Sequence, residues 1–157
     1  MDRPAVPSVA DYMTPGPYFV GPFEPLPKAH QIMREHGIRH LPVVADGTLV
    51  GILSDRDINL VQTLAHARPE EITVEDAMTS DPYVVSPDAP LNHVARVMQQ
   101  RRIGSAIVVD HGGVAGVFTL TDALQALVEA LEGTYTRRTY EDVTTAPREA
   151  RRPPDVH

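Results

Sequence analysis

Apolar side chains recur every three to four positions from Pro25 to His36, where Leu26, Ala29, His30 and Met33 share one face; the spacing predicts a helix closed by Gly37. Two apolar runs follow, Leu41-Pro-Val-Val-Ala45 and Leu49-Val-Gly-Ile-Leu53, parted by Asp46-Gly47. Such runs around Asp-Gly predict a β-hairpin. A helical pattern then extends from Ser54 to about Ala67 and stops at Arg68-Pro69. Ahead of these elements, residues 1–8 read as an extended lead-in, Val9–Met13 as a helical turn halted by Pro15, Gly16 and Pro17, and Tyr18–Val20 as a brief β segment.

The same order returns further along. It runs as a turn at Val74–Met78, β at Tyr83–Val85, a helix from Pro90 to Arg101, strands Ser105–Val109 and Val114–Phe118 around His111-Gly112-Gly113, and a helix from Thr119 to about Glu132. Sliding the chain by 65 residues without a gap aligns Met13-Thr14 with Met78-Thr79, Pro17-Tyr18 with Pro82-Tyr83, Pro25-Leu26 with Pro90-Leu91, Met33 with Met98, Ile38 with Ile103 and Val43-Val44 with Val108-Val109. A register held that long marks two copies of one unit, residues 9–68 and 74–132. A single copy of about 55 residues buries too little surface to stand comfortably alone, so the copies are expected to share a core. The expected fold class is α+β (mixed α/β), built of two tandem β-α-β-β-α repeats. Residues 133–157, rich in Thr, Arg and Pro, are expected to be a mobile tail, with a short helix near Tyr140 as an option.

Composition narrows the classes. The chain has 157 residues and no cysteine, which removes disulfides and thiolate metal sites and fits a reducing, cytoplasmic compartment. It lacks the apolar run of about eighteen residues that a membrane helix needs. The net charge is −7: residues 1–132 hold 9 Lys/Arg against 17 Asp/Glu, and residues 133–157 hold 5 Arg against 4 acids. An acidic body discourages nucleic-acid binding. His36 and His40 straddle a helix end and a strand, so the 7 histidines offer no shared helix face, and no metal site is expected. No hydroxyl stands in a nucleophile-elbow or phosphate-loop context, so no enzyme and no catalytic residue are expected.

The most informative segment is Gly51-Ile-Leu-Ser-Asp-Arg-Asp57, repeated as Gly116-Val-Phe-Thr-Leu-Thr-Asp122. Ser54-x-x-Asp57 and Thr119-x-x-Asp122 each fit a capping box, in which a hydroxyl and an acid satisfy the first amides of a helix. Three features point further. A glycine precedes each hydroxyl by three residues, as where something closely approaches the backbone. The whole segment is duplicated in register, and a helix N-terminus attracts anions. A carboxylate there can accept two hydroxyl protons through charge-assisted bonds. A ribonucleotide carries both a vicinal diol and a phosphate.

With the lead-ins Val9-x-x-x-Met13-Thr14 and Val74-x-x-x-Met78-Thr79, and with Ile38-Arg-His-Leu-Pro-Val-Val44, the chain resembles a tandem pair of cystathionine-β-synthase (CBS) domains over roughly residues 9–130. The resemblance implies two repeats related by a pseudo-twofold axis, packed through their sheets, with a cleft for an adenosine-type ligand on each side. It implies a first cleft of Ser54, Asp57, Thr79, Tyr83, Ile103, Gly104 and Ser105, and a second of Thr119, Asp122, Thr14, Tyr18, Ile38, Arg39 and His40. In each, the acid would hold ribose, the hydroxyl would help hold ribose or phosphate, and apolar segments would take the base. Arg39 and His40 would face phosphate in the second cleft, where the first has the small Gly104 and Ser105 and only Arg56 as a cation. Ile107, where the first copy has Pro42, and Thr121, where it has Arg56, depart from the family pattern.

The function implied is a regulatory module that senses AMP, ADP, ATP or S-adenosylmethionine, dimerises through its helices and is read by a protein target that the sequence does not name. Ile58, Leu60, Val61 and Leu64, with Leu124, Leu127, Val128 and Leu131, are the expected core and interface faces. The rival is a scaffold for dimerisation or partner docking with empty clefts. On the sensing reading, Asp122→Ala abolishes ligand response while the empty protein melts as before; a purely capping acid costs roughly 0.5–2 kcal/mol of stability when removed, which denaturation measures.

Overall fold

The computed structural model describes residues 5–16, 18–64, 66 and 68–133. Residues 134–157 of the expected tail lie outside them, as do Ala65 and Ala67 of the helix predicted to reach Ala67, while His66 is described and is not helical. The elements in order are a 3₁₀ turn at Val9–Asp11, β1 Thr14–Pro15, α1 Leu26–His36, β2 His40–Ala45, β3 Thr48–Ser54, α2 Asp55–Leu64, a second 3₁₀ turn at Pro69–Glu71, α3 Val74–Ala77, β4 Thr79–Ser80, β5 Val84–Val85, α4 Leu91–Arg101, β6 Ser105–Asp110, β7 Gly113–Thr119 and α5 Leu120–Glu132. This is a mixed α/β protein.

Contacts divide the chain into two compact units. One is Pro17–Val84; the other joins the described residues of Met1–Gly16 to those of Val85–His157. These cuts differ from those of the sequence repeat, because each copy's lead-in packs on the hairpin of the other copy. In the first unit the sheet order is β2-β3-β4; in the second it is β1-β7-β6-β5. Both hairpins turn on two residues of positive φ, Asp46-Gly47 and His111-Gly112, as a tight antiparallel turn requires. Both carry an irregularity at equivalent places, between Val43 and Val44 and between Val108 and Val109, so that Val50 and Ala115 are the extra residues just before the motif glycines.

The lead-ins dock through matching backbone bonds. In the first unit the Leu26 amide donates to the Ile72 carbonyl (2.9 Å), Val74 to Glu24 (3.0 Å) and Glu75 to Pro22 (2.8 Å). In the second, Leu91 donates to Pro7 (2.8 Å), Val9 to Ala89 (2.9 Å) and Ala10 to Pro87 (3.1 Å). The Leu26 and Leu91 amides open α1 and α4 behind Pro25 and Pro90, so each lead-in satisfies a helix-terminal donor that has no partner within its own helix. The Tyr12 hydroxyl also donates to the Glu129 carboxylate on α5.

The strand expected at Tyr18–Val20 is a single bridge, Val20 to Val43. The strands proper are Thr14–Pro15 on β7 and Thr79–Ser80 on β3, where the prolines and short polar residues of the lead-ins had read as turn. They fit because the motif strand presents glycine there. A β-carbon on Gly51 would lie 2.8 Å from both the Thr79 carbonyl oxygen and Met78 Sδ; one on Gly116 would lie 2.6 Å from the Thr14 carbonyl oxygen and 2.9 Å from Met13 Sδ. Beneath these crossings, Leu26, Met33, Leu41, Leu53, Ile58 and Val74 form the core of the first unit. Val9, Met13, Val94, Met98, Ile107 and Phe118 are buried in the second. Of the helix faces expected to serve as core, Ile58 is fully buried and Val61 packs on the core, while Leu60, Leu64, Leu124, Leu127, Val128 and Leu131 stay exposed.

Gly116→Ala forces the Thr14 carbonyl or the strand itself to move, and is expected to lower stability by about 1–3 kcal/mol, as overpacking does. The urea midpoint of the purified variant measures it, and an unchanged midpoint would show that β1 does not cross β7 there.

Candidate ligand-binding site

Each motif lies where a strand of the hairpin passes directly into a helix, β3 into α2 and β7 into α5. At the first junction the Ser54 amide donates to Asp57 Oδ2 (2.9 Å) and the Asp57 amide to Ser54 Oγ (3.0 Å). At the second the Thr119 amide donates to Asp122 Oδ2 (2.8 Å), the Asp122 amide to Thr119 Oγ1 (3.4 Å) and the Thr119 hydroxyl to Asp122 Oδ2 (3.1 Å). Both are complete capping boxes, and all four side chains are half-buried. The glycines have an internal cause too: what approaches Gly51 and Gly116 is the chain's own lead-in strand, so they no longer argue for a ligand. What remains for one is an acid beside solvent whose cap uses Oδ2. Oδ1 of Asp57 makes no hydrogen bond among the described residues.

The surroundings are set by strand register. Thr79 pairs with Ile52 and Thr14 with Val117, each two residues before its motif hydroxyl, and both threonines are exposed. His40 stands opposite Ser54, and the Asp55 amide donates to the Arg39 carbonyl (2.9 Å). Ser105 likewise stands opposite Thr119, and the Leu120 amide donates to Gly104 (3.1 Å). Arg39 and His40 are thus neighbours of Ser54 and Asp57 within one unit, and Gly104 and Ser105 are neighbours of Thr119. The expected grouping paired each of these with the motif of the other copy. Ile38 and Ile103 are half-buried where the chain leaves α1 and α4. Tyr18 stacks on His36 with ring centroids 3.9 Å apart, so one face of a ring expected to meet a base rests on an imidazole. Tyr83 is half-buried between β4 and β5.

Electrostatics single out His40. Burial pushes its imidazole below the usual histidine range; Asp57 and Asp55 pull the other way and Arg39 reinforces the depression. His30 on α1 adds a contact to Asp55 (3.6 Å). Asp55 and His30 were missed by motif reasoning, although His30 on the inner face of α1 was the available signal. No group of three or more His, Asp or Glu among the described residues is placed to hold a metal ion. No helix of the described residues is long and apolar enough to cross a membrane.

The CBS domain family model matches residues 9–61 and 74–129, which together span most of the chain. The chain belongs to the CBS domain family. Among CBS proteins it is similar to the CBS domain-containing protein YhcV of Bacillus subtilis, with 32% identity over 115 residues, 73% of this chain and 81% of that protein. A solved CBS domain pair, of protein MJ0100 in complex with 5′-methylthioadenosine and S-adenosyl-L-methionine, superposes with a TM-score of 0.69 at 28% identity, covering 80% of this chain and 99% of that one. CBSX2 in complex with AMP superposes with a TM-score of 0.66 at 26% identity, over 78% of this chain and 97% of that one.

Because both CBS acids cap helices, Asp57→Ala and Asp122→Ala are each expected to cost about 0.5–2 kcal/mol. That replaces the expectation of an unchanged melting temperature, and Tm values equal to wild type would contradict the caps. The depressed His40 pKa gives a second prediction. Between the folded pKa and the unfolded one near 6.5, the unfolded chain binds more protons, so stability rises with pH across that window and is fully present above it. Urea unfolding as a function of pH is expected to show stability falling as the pH drops below about 6.5, with a shallower fall in His40→Gln. Identical profiles would place His40 in solvent.

Proposed function

We propose that this CBS-domain chain is a ligand-sensing regulatory module, a binding protein rather than an enzyme, which takes an adenine nucleotide or a related adenosyl compound at its two hydroxyl–acid motifs. One observation carries the reading: at both strand–helix junctions a half-buried acid and hydroxyl are fixed beside an exposed threonine, in a family whose structural neighbours hold AMP, S-adenosyl-L-methionine and 5′-methylthioadenosine. Asp57 and Asp122 hold the ribose diol, and Ser54, Thr119, Thr79 and Thr14 take ribose or phosphate oxygens. Ile38, Arg39 and His40, with Ile103, Gly104 and Ser105, contribute contacts to base or phosphate. Tyr18 and Tyr83 add aromatic surface.

A ligand that prefers one arrangement of the module shifts its population by that preference, and a second copy or a protein target reads the change. Exposed Leu60 and Leu64 on α2, and Leu124, Leu127 and Leu131 on α5, support a homodimer as the reading unit.

A scaffold without ligand is the second reading. It is favoured by the finding that caps and glycines are accounted for by the chain itself. Melting separates the two. A ligand at a hundredfold over its Kd stabilises by about 2.7 kcal/mol. AMP, ADP, ATP or S-adenosylmethionine is expected to raise Tm in wild type, and less in Asp57→Ala and Asp122→Ala relative to each variant's own ligand-free Tm. If all four leave wild type unmoved, the scaffold reading stands.

A further inference from the structure

Resting on the adenosyl-binding reading, we infer that the Ser54–Asp57 site takes up a proton at His40 when it binds a phosphorylated ligand, and so binds it more tightly as the pH falls. The groups around His40 make this a single electrostatic unit. His40 opens β2 directly opposite Ser54, the last residue of β3. Arg39 precedes it and accepts the Asp55 amide through its carbonyl. Asp55 and Asp57 face it from the first turn of α2, and His30 reaches Asp55 from α1.

Without ligand, burial outweighs the two carboxylates and holds the imidazole below the usual histidine range, and Arg39 pushes the same way. A phosphate arriving at the start of α2 adds negative charge near Arg39, which precedes His40, and Arg56, which lies in the same first turn. A protonated imidazole supplies a further charged donor. Each unit by which the bound anion raises the His40 pKa gives up to tenfold tighter binding at low pH. The device is confined to one site, since Gly104, Ser105 and Thr121 occupy the positions of Arg39, His40 and Arg56 in the second copy. A nucleoside without phosphate does not trigger it.

Isothermal titration of the full chain and of His40→Gln with AMP and with adenosine, at about pH 6 and about pH 8, tests it. The second ionisation of AMP lies near pH 6 and is present with both proteins, so the difference between them reports what His40 adds, including its pull on that ionisation. The affinity ratio of wild type to His40→Gln for AMP is expected to rise about tenfold from the higher to the lower pH, and to stay flat for adenosine. Buffers of different ionisation enthalpy should report a larger net proton uptake by wild type than by His40→Gln. Equal pH dependence in the two proteins, with AMP still bound, overturns the proton linkage and leaves the adenosyl reading standing. No binding of AMP or adenosine to wild type overturns both. An NMR titration of the His40 imidazole in wild type reads the same step without a substitution: its pKa is expected to rise on adding AMP, and an unchanged value overturns the inference.

Discussion

The structure depends on two close crossings, Thr79 over Gly51 and Thr14 over Gly116, where a carbonyl oxygen passes so near the motif strand that no side chain fits beneath it. The crossing is what joins each lead-in to the hairpin of the other copy. The same lead-in donates and accepts the backbone bonds that open α1 or α4. One repeat alone therefore cannot complete its own sheet. Its missing strand is supplied from elsewhere in the chain, a physical reason for duplication beyond the modest core that about 55 residues can bury.

The crossing also places the chemistry. Just before each glycine the hairpin carries an extra residue, which bends the strand and changes which residues face one another. Because of that shift His40 meets Ser54 and Ser105 meets Thr119. The strand then ends in a hydroxyl that caps a helix, with its acid in the first turn, where the helix dipole favours negative charge. Capping and ligand binding are not rivals at such a place. The cap holds Asp57 through Oδ2, and a carboxylate already fixed in place loses less conformational freedom on meeting a further donor. The two sites differ most plainly in charge, with Arg39, His40, Asp55 and Arg56 around one and Gly104, Ser105, Leu120 and Thr121 around the other.

Much of this was legible in the residues. The duplication, the helices from Leu26 and Leu91, both hairpins and both motif helices follow from periodicity and from the glycine-bearing turns at Asp46-Gly47 and His111-Gly112. Four things were not. The strands at Thr14–Pro15 and Thr79–Ser80 are two residues long and contain proline or serine, so no period of two can appear in them. The glycines signalled a close approach, but a sequence pattern cannot say whether ligand or backbone makes it. The bulge moved His40 from opposite Leu53 to opposite Ser54, and one inserted residue in a strand of β-branched and aliphatic side chains leaves no compositional mark. The exposed stripe of α5 was read as part core; amphipathic spacing gives a face its polarity and does not name what covers it.

The most direct measurement is equilibrium binding of AMP set against its 2′-deoxy form. Ribose held through both hydroxyls by Asp57 and Asp122 predicts that removing one hydroxyl weakens binding by tenfold or more, since a charge-assisted hydrogen bond is worth about 1.5–3 kcal/mol. Equal affinities for the two would contradict any grip on the diol and leave both acids as helix caps alone.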